Sequence, residues 1–142
     1  MIYTPMTEKA LKLCFSVHKD QLDKSGLPYV FHPFNLAEQM KDELTVTLAL
    51  LHDVVEDSDC TFEDLQKLGF PDEVIEPLRL LTHDPAVPYF EYIEAIKSDP
   101  AAVAVKLADL MHNSDRSRLH CIDEAAKSRL EKYDKALNIL RA

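Results

Sequence analysis

Apolar residues recur at intervals of three and four along almost the whole chain, as in Ala10, Leu11, Cys14, Phe15 and Val17, then Leu44, Leu48, Leu51 and Val55. That spacing stacks side chains on one face of an α-helix, and no convincing strand pattern competes with it. The first helix is predicted over residues 5–22, with Thr4 as N-cap and Pro5 in the first turn, where its missing N–H removes nothing the helix needs. Residues 23–28, Asp-Lys-Ser-Gly-Leu-Pro, read as a loop. A short helix is predicted to begin after His32, with Pro33 in its first position and Phe34, Leu36, Ala37 and Met40 as its apolar face. The third, over residues 43–56, is the most apolar segment, and a helix apolar around most of its circumference belongs at the centre of a bundle. Further helices are predicted over residues 61–68, with Thr61 and Asp64 as a cap pair, then 72–81, 89–97, 100–113 and 123–140. Helices joined this closely predict an irregular all-α bundle.

Composition narrows the picture. A chain of 142 residues with 46% hydrophobic content is sized for one domain, expected over residues 1–142. Two glycines, and prolines scattered at segment boundaries, leave no flexible linker, and there is no internal repeat. The N-terminal MIYTPMTEKALKLCF lacks the basic stretch and apolar run of a leader, and no apolar stretch reaches the ~20 residues that span a bilayer. A cytoplasmic protein with no membrane partner is expected. Cys14, Cys60 and Cys121 are odd in number and include no CxxC pair, which argues against a disulfide framework and a structural zinc site. A formal charge of −9 repels a nucleic-acid duplex, whereas a small phosphorylated ligand is compatible with it if a metal and a few local cations hold the phosphate.

Three segments carry candidate chemistry. His52, Asp53, Glu56 and Asp57 close the most apolar helix, and their i,i+4 relations let all four approach one rim. Imidazole beside carboxylates suits a divalent transition ion, while the bland alternative is a solvated helix end. In VKLADLMHN, Lys106, Asp109 and Asn113 share a helical face within an apolar stretch, either as a buried polar cluster or as a surface ion pair with Asn113 as C-cap. In SGLPYVFHP, His32 is restrained between an apolar anchor and a proline. His18, His83, His112 and His120 read as packed or exposed side chains. Tyr89, Tyr92, Ile93 and Ile96 read as core or interface.

These three stretches, SGLPYVFHP, LALLHDVVEDSDCTFEDL and VKLADLMHN, come in an order that resembles the hydrolase domain of the RelA/SpoT family, a branch of the HD phosphohydrolases, with similarity of pattern from about residue 8 to about residue 138. The resemblance implies an all-helical HD-type fold and a Mn²⁺ ion held by His32, His52, Asp53 and Asp109. It implies release of pyrophosphate from the 3′ position of guanosine tetra- or pentaphosphate. By the same match Glu56 and Asp57 position and activate the attacking water, Lys106 and Asn113 line the nucleotide pocket, and Lys24, Ser25 and Tyr29 belong to the loop that receives base and phosphates. Mixed N/O ligands by themselves accept Mn²⁺, Fe²⁺, Co²⁺ or Zn²⁺, so the choice of Mn²⁺ comes from the resemblance. Lys24, Lys106 and one of Arg116 and Arg118 are expected to offset phosphate charge.

This chain departs from the family pattern in three places. Asp23 stands where the family has a basic residue before Lys-Ser-Gly, residues 82–89 form a short connection, and LMHNSDRSRL replaces the usual RLHNM. Synthesis of the alarmone is not expected. Two alternatives stand beside an alarmone hydrolase: an HD phosphatase for another nucleotide or a phosphorylated dinucleotide cofactor, to which Asp23 lends weight, and a non-catalytic nucleotide-binding sensor, against which the retained Glu56 and Asp57 argue.

Overall fold

A computed structural model describes residues 1–142. Local capping chemistry sets most helix starts. α1 (Pro5–His18) opens on Thr4, whose hydroxyl accepts from the Thr7 N–H at 3.2 Å while Thr7 Oγ1 accepts from the Thr4 N–H at 2.8 Å. It stops four residues before the predicted end, because the chain turns at His18 and doubles back. Leu22 bridges to Pro28, and Gly26 takes a φ of 81° that few other residues tolerate.

α2 (Phe31–Gln39) starts two residues earlier than predicted, which puts His32 inside its first turn. Pro33 permits this, since the first three helical N–H groups all lack an intrahelical partner and a proline fits any of those positions. α3 (Glu43–Leu51) begins at Asp42, which accepts from the Thr45 N–H at 2.8 Å. The predicted continuous helix over residues 43–56 is broken after Leu51 and resumes as the single turn α4 (Val54–Asp57).

α5 (Phe62–Lys67) carries the Thr61/Asp64 capping box. α6 (Asp72–Leu81), α7 (Tyr89–Ile96) and α8 (Pro100–Asn113) follow within a residue of prediction. A short 3₁₀ turn (Arg116–Arg118) leads to α9 (Glu124–Arg141), capped by Asp123 on the Ala126 N–H. The fold is all-α, and no helix is long and apolar enough to cross a membrane.

α3 is the axis of the core: every residue from Thr45 to Leu51 is buried, and it packs on α1, α2, α6 and α8. The hydroxyl of Thr47 donates to its own helix at the Glu43 carbonyl, 2.8 Å away, so a polar residue sits in the core without an unmet bond. α8 lies against α2, α3, α6 and α9. The C-terminal end of α3, the first turn of α2 and the last turns of α8 therefore meet at one end of the bundle. Leu50 is wholly buried and Leu68 is 46% exposed. Leu50→Ala is expected to lower unfolding stability by about 2–5 kcal/mol and Leu68→Ala by less than about 0.5 kcal/mol. Urea titrations of the two variants check this, and equal losses would contradict the central placement of α3.

Candidate functional site

The break after α3 is caused by His52. Its ring N–H at Nδ1 donates to the Ala49 carbonyl at 2.6 Å, taking the acceptor that the Asp53 N–H would use in a continuing helix. Asp53 then adopts φ −108° and ψ 0°, a sparsely populated region. The same hydrogen bond fixes the tautomer, since a carbonyl can only accept: Nε2 of a neutral His52 carries the lone pair.

That Nε2 is buried and makes no aligned hydrogen bond, although Asp53 Oδ2 lies 3.0 Å away and Asp109 Oδ1 3.5 Å away. His32 Nε2 stands 2.7 Å from Asp109 Oδ1. One ligand atom from each of His32, His52, Asp53 and Asp109 falls within 4.8 Å of all the others. A buried nitrogen without a hydrogen-bonded partner, facing two carboxylates and a second imidazole, fits a divalent cation in donor type and in spacing. The sequence-predicted ligand set is brought together complete.

The electrostatics agree. Burial disfavours a charged His52, yet the Asp53 and Asp109 carboxylates outweigh it and hold the imidazole well above its usual value. Burial likewise opposes charge on Asp53, but the His52 cation wins and draws the carboxyl down to about 2. Asp109 is held well below the ordinary carboxylate range against its burial, first by Lys106 and then by the two histidines.

Lys106 Nζ contacts Asp109 Oδ2 at 2.7 Å with both side chains largely buried, so the surface-pair reading fails. Asn113 is not the C-cap, a position held by Ser114. Its Nδ2 donates to Asp109 Oδ1 at 3.1 Å. The Tyr29 hydroxyl donates to Asp53. Asp53, Glu56, Asp57, Lys106, Asp109 and Asn113 line a cleft of about 290 Å³. The His83 N–H donates to Glu56 Oε1 at 2.5 Å, and Gln21 Nε2 donates to Asp57 Oδ2 at 3.2 Å.

Beyond Tyr29, Gln21, Asn113 and Tyr133, which line both spaces, opens a second cavity of about 300 Å³ bounded by Lys24, Ser25, Arg118 and Arg129. Arg118 reaches this region and Arg116 does not. Arg116 lies with Ser114 and Lys127 in a separate depression. Asp23 has a structural task, its Oδ1 accepting from the N–H groups of Ser25 at 2.9 Å and Leu27 at 3.0 Å, with Arg118 3.7 Å from Oδ2.

Sequence reasoning did not name Gln21 and read His18 and His112 only as packed or exposed side chains, yet all three belong to this network. His112 Nδ1 lies 2.6 Å from His32 Nδ1, the two rings stacked, and its pKa is pushed down to about 4 by burial and then by the charges of His32 and Arg118. Buried His18 meets Gln21 Oε1 at 2.8 Å, so His18 and Gln21 form a chain that ends on Asp57. For His112 there was a sequence signal, its position three residues after Asp109 on the same helical face. His18 and Gln21 gave none.

Because the metal-free site holds a proton on His52, cation binding must expel it. Calorimetric titration with Mn²⁺ in two buffers at about pH 7 is expected to show release of about one proton per ion, with apparent affinity falling about tenfold for each pH unit below neutrality. An affinity that does not change with pH would rule out this proton–metal exchange. The sign for stability follows: pairing that involves the raised His52 is complete below its ordinary value of 6.5, and the metal-free protein loses it at alkaline pH as the imidazole deprotonates.

No family model matches the chain. Among curated proteins it is similar to the guanosine-3′,5′-bis(diphosphate) 3′-pyrophosphohydrolase MESH1 of Homo sapiens, 33% identical over 123 residues that cover 78% of this chain and 68% of the human protein. It is also similar to the Aquifex aeolicus guanosine-3′,5′-bis(diphosphate) 3′-pyrophosphohydrolase, 32% identical over 118 residues. The chain spans 17% of that protein's length and 14% of a Streptomyces coelicolor GTP pyrophosphokinase. A solved structure described as a metazoan ortholog of SpoT that hydrolyses ppGpp superposes with a TM-score of 0.80 at 27% identity, covering 100% of this chain and 89% of that one. With a fold shared along its whole length and a relative matched over two thirds of its own, the chain belongs to the family of RelA/SpoT-type HD-domain hydrolases.

Proposed function

We propose that the protein is a metal-dependent guanosine-3′,5′-bis(diphosphate) 3′-pyrophosphohydrolase. The observation that carries this reading is the convergence of His32, His52, Asp53 and Asp109 beside the acidic pair Glu56 and Asp57, in a chain of that family. His32, His52, Asp53 and Asp109 would hold the ion, proposed to be Mn²⁺. When bound, the ion supplies a Lewis acid that makes water more acidic and offsets phosphate charge.

The protein's own groups do the rest. Burial raises the pKa of Glu56 from its ordinary value, and burial followed by the Asp53 charge does the same for Asp57, which makes both better proton acceptors. The His83 N–H and the Gln21 amide fix their orientation, so that one of the pair takes a proton as water adds to the phosphorus bonded to the ribose 3′ oxygen. The P–O3′ bond breaks, pyrophosphate leaves and the 3′ hydroxyl is formed. Lys106 and Asn113 hold Asp109 from outside and line the cleft where phosphate oxygens would lie. Tyr29 steadies Asp53, while Lys24 and Ser25 border the space left for the rest of the nucleotide.

A second reading, an HD phosphatase for another nucleotide or a phosphorylated dinucleotide cofactor, is favoured by one observation: the Asp23 carboxylate, engaged in its own turn and with Arg118, puts no cation where the family pattern has a basic residue. A panel of nucleotides offered to Mn²⁺-loaded protein separates the two. Pyrophosphate as product supports the proposal, and orthophosphate alone would replace it with the second reading. Asp53→Ala is expected to lose bound metal and turnover together. Glu56→Gln is expected to keep metal and lose rate by about a hundredfold or more. Metal analysis and single-turnover kinetics on the two variants check this, and full activity in either removes its residue from the mechanism.

A further inference from the structure

The stripe of α1 that faces the core runs Thr7, Ala10, Cys14 and His18, and its last position is taken by an imidazole that is fully buried. A leucine would fill such a position without desolvating a polar atom. The histidine instead leaves Nε2 buried with no hydrogen-bond partner, while Nδ1 lies 2.8 Å from Gln21 Oε1. The Tyr29 ring packs against it at 5.1 Å between ring centres. Nothing in the core requires a histidine there.

Gln21 is the group that the imidazole meets. Its backbone is fixed on both sides, the N–H donating to the His18 carbonyl at 3.0 Å and the carbonyl accepting from the Tyr29 N–H at 2.9 Å. The last torsion of its side chain is left free, and that torsion is broad and roughly two-fold, so the amide can turn either its oxygen or its nitrogen to Asp57. Only the nitrogen serves there, because a carboxylate accepts and an amide oxygen facing it repels. His18 decides between the two. With its proton on Nδ1 the ring donates to Oε1, which turns Nε2 of Gln21 toward Asp57 Oδ2, 3.2 Å away. With the proton on Nε2 the ring would bury an N–H without an acceptor and set the Nδ1 lone pair against Oε1. The ring itself stands 4.0 Å from Asp57 Oδ2, beyond hydrogen-bond distance, so it reaches the carboxylate through the amide.

We infer that His18 is a positioning residue for the hydrolysis: the proton on its Nδ1 sets the polarity of the Gln21 amide, and the amide holds the Asp57 carboxylate turned for its part in activating water. Glu56 needs no such device, since the group that holds it, the His83 N–H, can only donate. His18 lines neither the cleft nor the second cavity, so its effect falls on the rate of the reaction and not on the fit of the substrate. The inference rests on the nucleotide-hydrolase reading above and adds to it a residue behind the acidic pair.

The test uses Mn²⁺-loaded protein and guanosine 3′,5′-bis(diphosphate). His18→Phe keeps an aromatic ring of similar size and removes the donor. It is expected to lower kcat about tenfold with KM within about twofold and bound metal unchanged, the loss given by one misdirected hydrogen bond. His18→Asn, whose Nδ2 stands near the place of the imidazole Nδ1, is expected to recover most of the rate. Gln21→Met lowers kcat by about as much as His18→Phe, and the double variant is no slower than Gln21→Met alone, because the two side chains act as one chain. Full kcat in His18→Phe, or losses that multiply in the double variant, overturn the inference.

Nitrogen NMR of the imidazoles in metal-free protein gives a readout that needs no catalysis. The Nδ1–H tautomer is expected for His18, and the side-chain amide protons of Gln21 are expected to shift in Asp57→Asn. The tautomer is read on wild type, so it decides even where His18→Phe does not fold. A proton on Nε2 refutes the inference even if hydrolysis stands. If no nucleotide is hydrolysed but His18 carries its proton on Nδ1 and Gln21 responds to Asp57→Asn, the positioning chain survives and the proposed reaction does not.

Discussion

Two imidazoles and two carboxylates clustered within 4.8 Å, with His32, His52 and Asp109 buried and Asp53 partly so, are tolerable only if something positive lies among them. Each buried carboxylate would otherwise face a large desolvation cost, and moving either charge away from its partners leaves the other stranded. Here His52 stands between Asp53 and Asp109, and Lys106 lies behind Asp109. The rest of the bundle makes this arrangement compulsory. α2, α3 and α8 each supply the site from an end, where the chain leaves or enters a helix and side chains can turn inward without displacing core residues.

The break between α3 and α4 belongs to the same constraint. An unbroken helix would send His52 and Asp53 about 100° apart around its axis, on directions diverging from one another. The bond from the His52 ring to Ala49 stops the helix, and with Asp53 outside helical geometry the two side chains come within 3.0 Å of one another. The stop therefore also brings the two side chains of the doublet to one point. Positions outside the cluster then settle which atom faces inward: Ala49 holds Nδ1 of His52, His112 meets Nδ1 of His32, and Lys106 takes Oδ2 of Asp109, leaving Oδ1 toward the two imidazoles.

What was legible in the sequence was what local chemistry decides. Thr4 before Pro5, and Thr61 with Asp64, announce helix starts, because a cap is read within four residues. The apolar run before His52 announced the central helix. The break after Leu51 was hidden, since an apolar run looks the same whether or not a ring competes for one carbonyl. His32 was placed outside its helix for a comparable reason, proline being equally at home in several first-turn positions. The four clustered side chains came from motif order and not from spacing, as His32 and Asp109 are 77 residues apart in the chain. Gln21 stayed invisible, and His18 was read only as packed or exposed, because their partner Asp57 lies 36 residues beyond Gln21 and nothing local marks an amide that will orient a carboxylate.

Charge distribution also explains how an acidic protein can receive a polyanion. The net charge of −9 sets the field at long range, where salt screens it within about 10 Å. Inside the concavity the near charges decide. There the carboxylates are consumed by the cluster, by Gln21 and the His83 N–H, or, in the case of Asp23, by the loop and Arg118. The replacement of a basic residue by Asp23 thus changes less than its sign suggests, because that charge is spent on ordering residues 23–27 and on restraining a guanidinium.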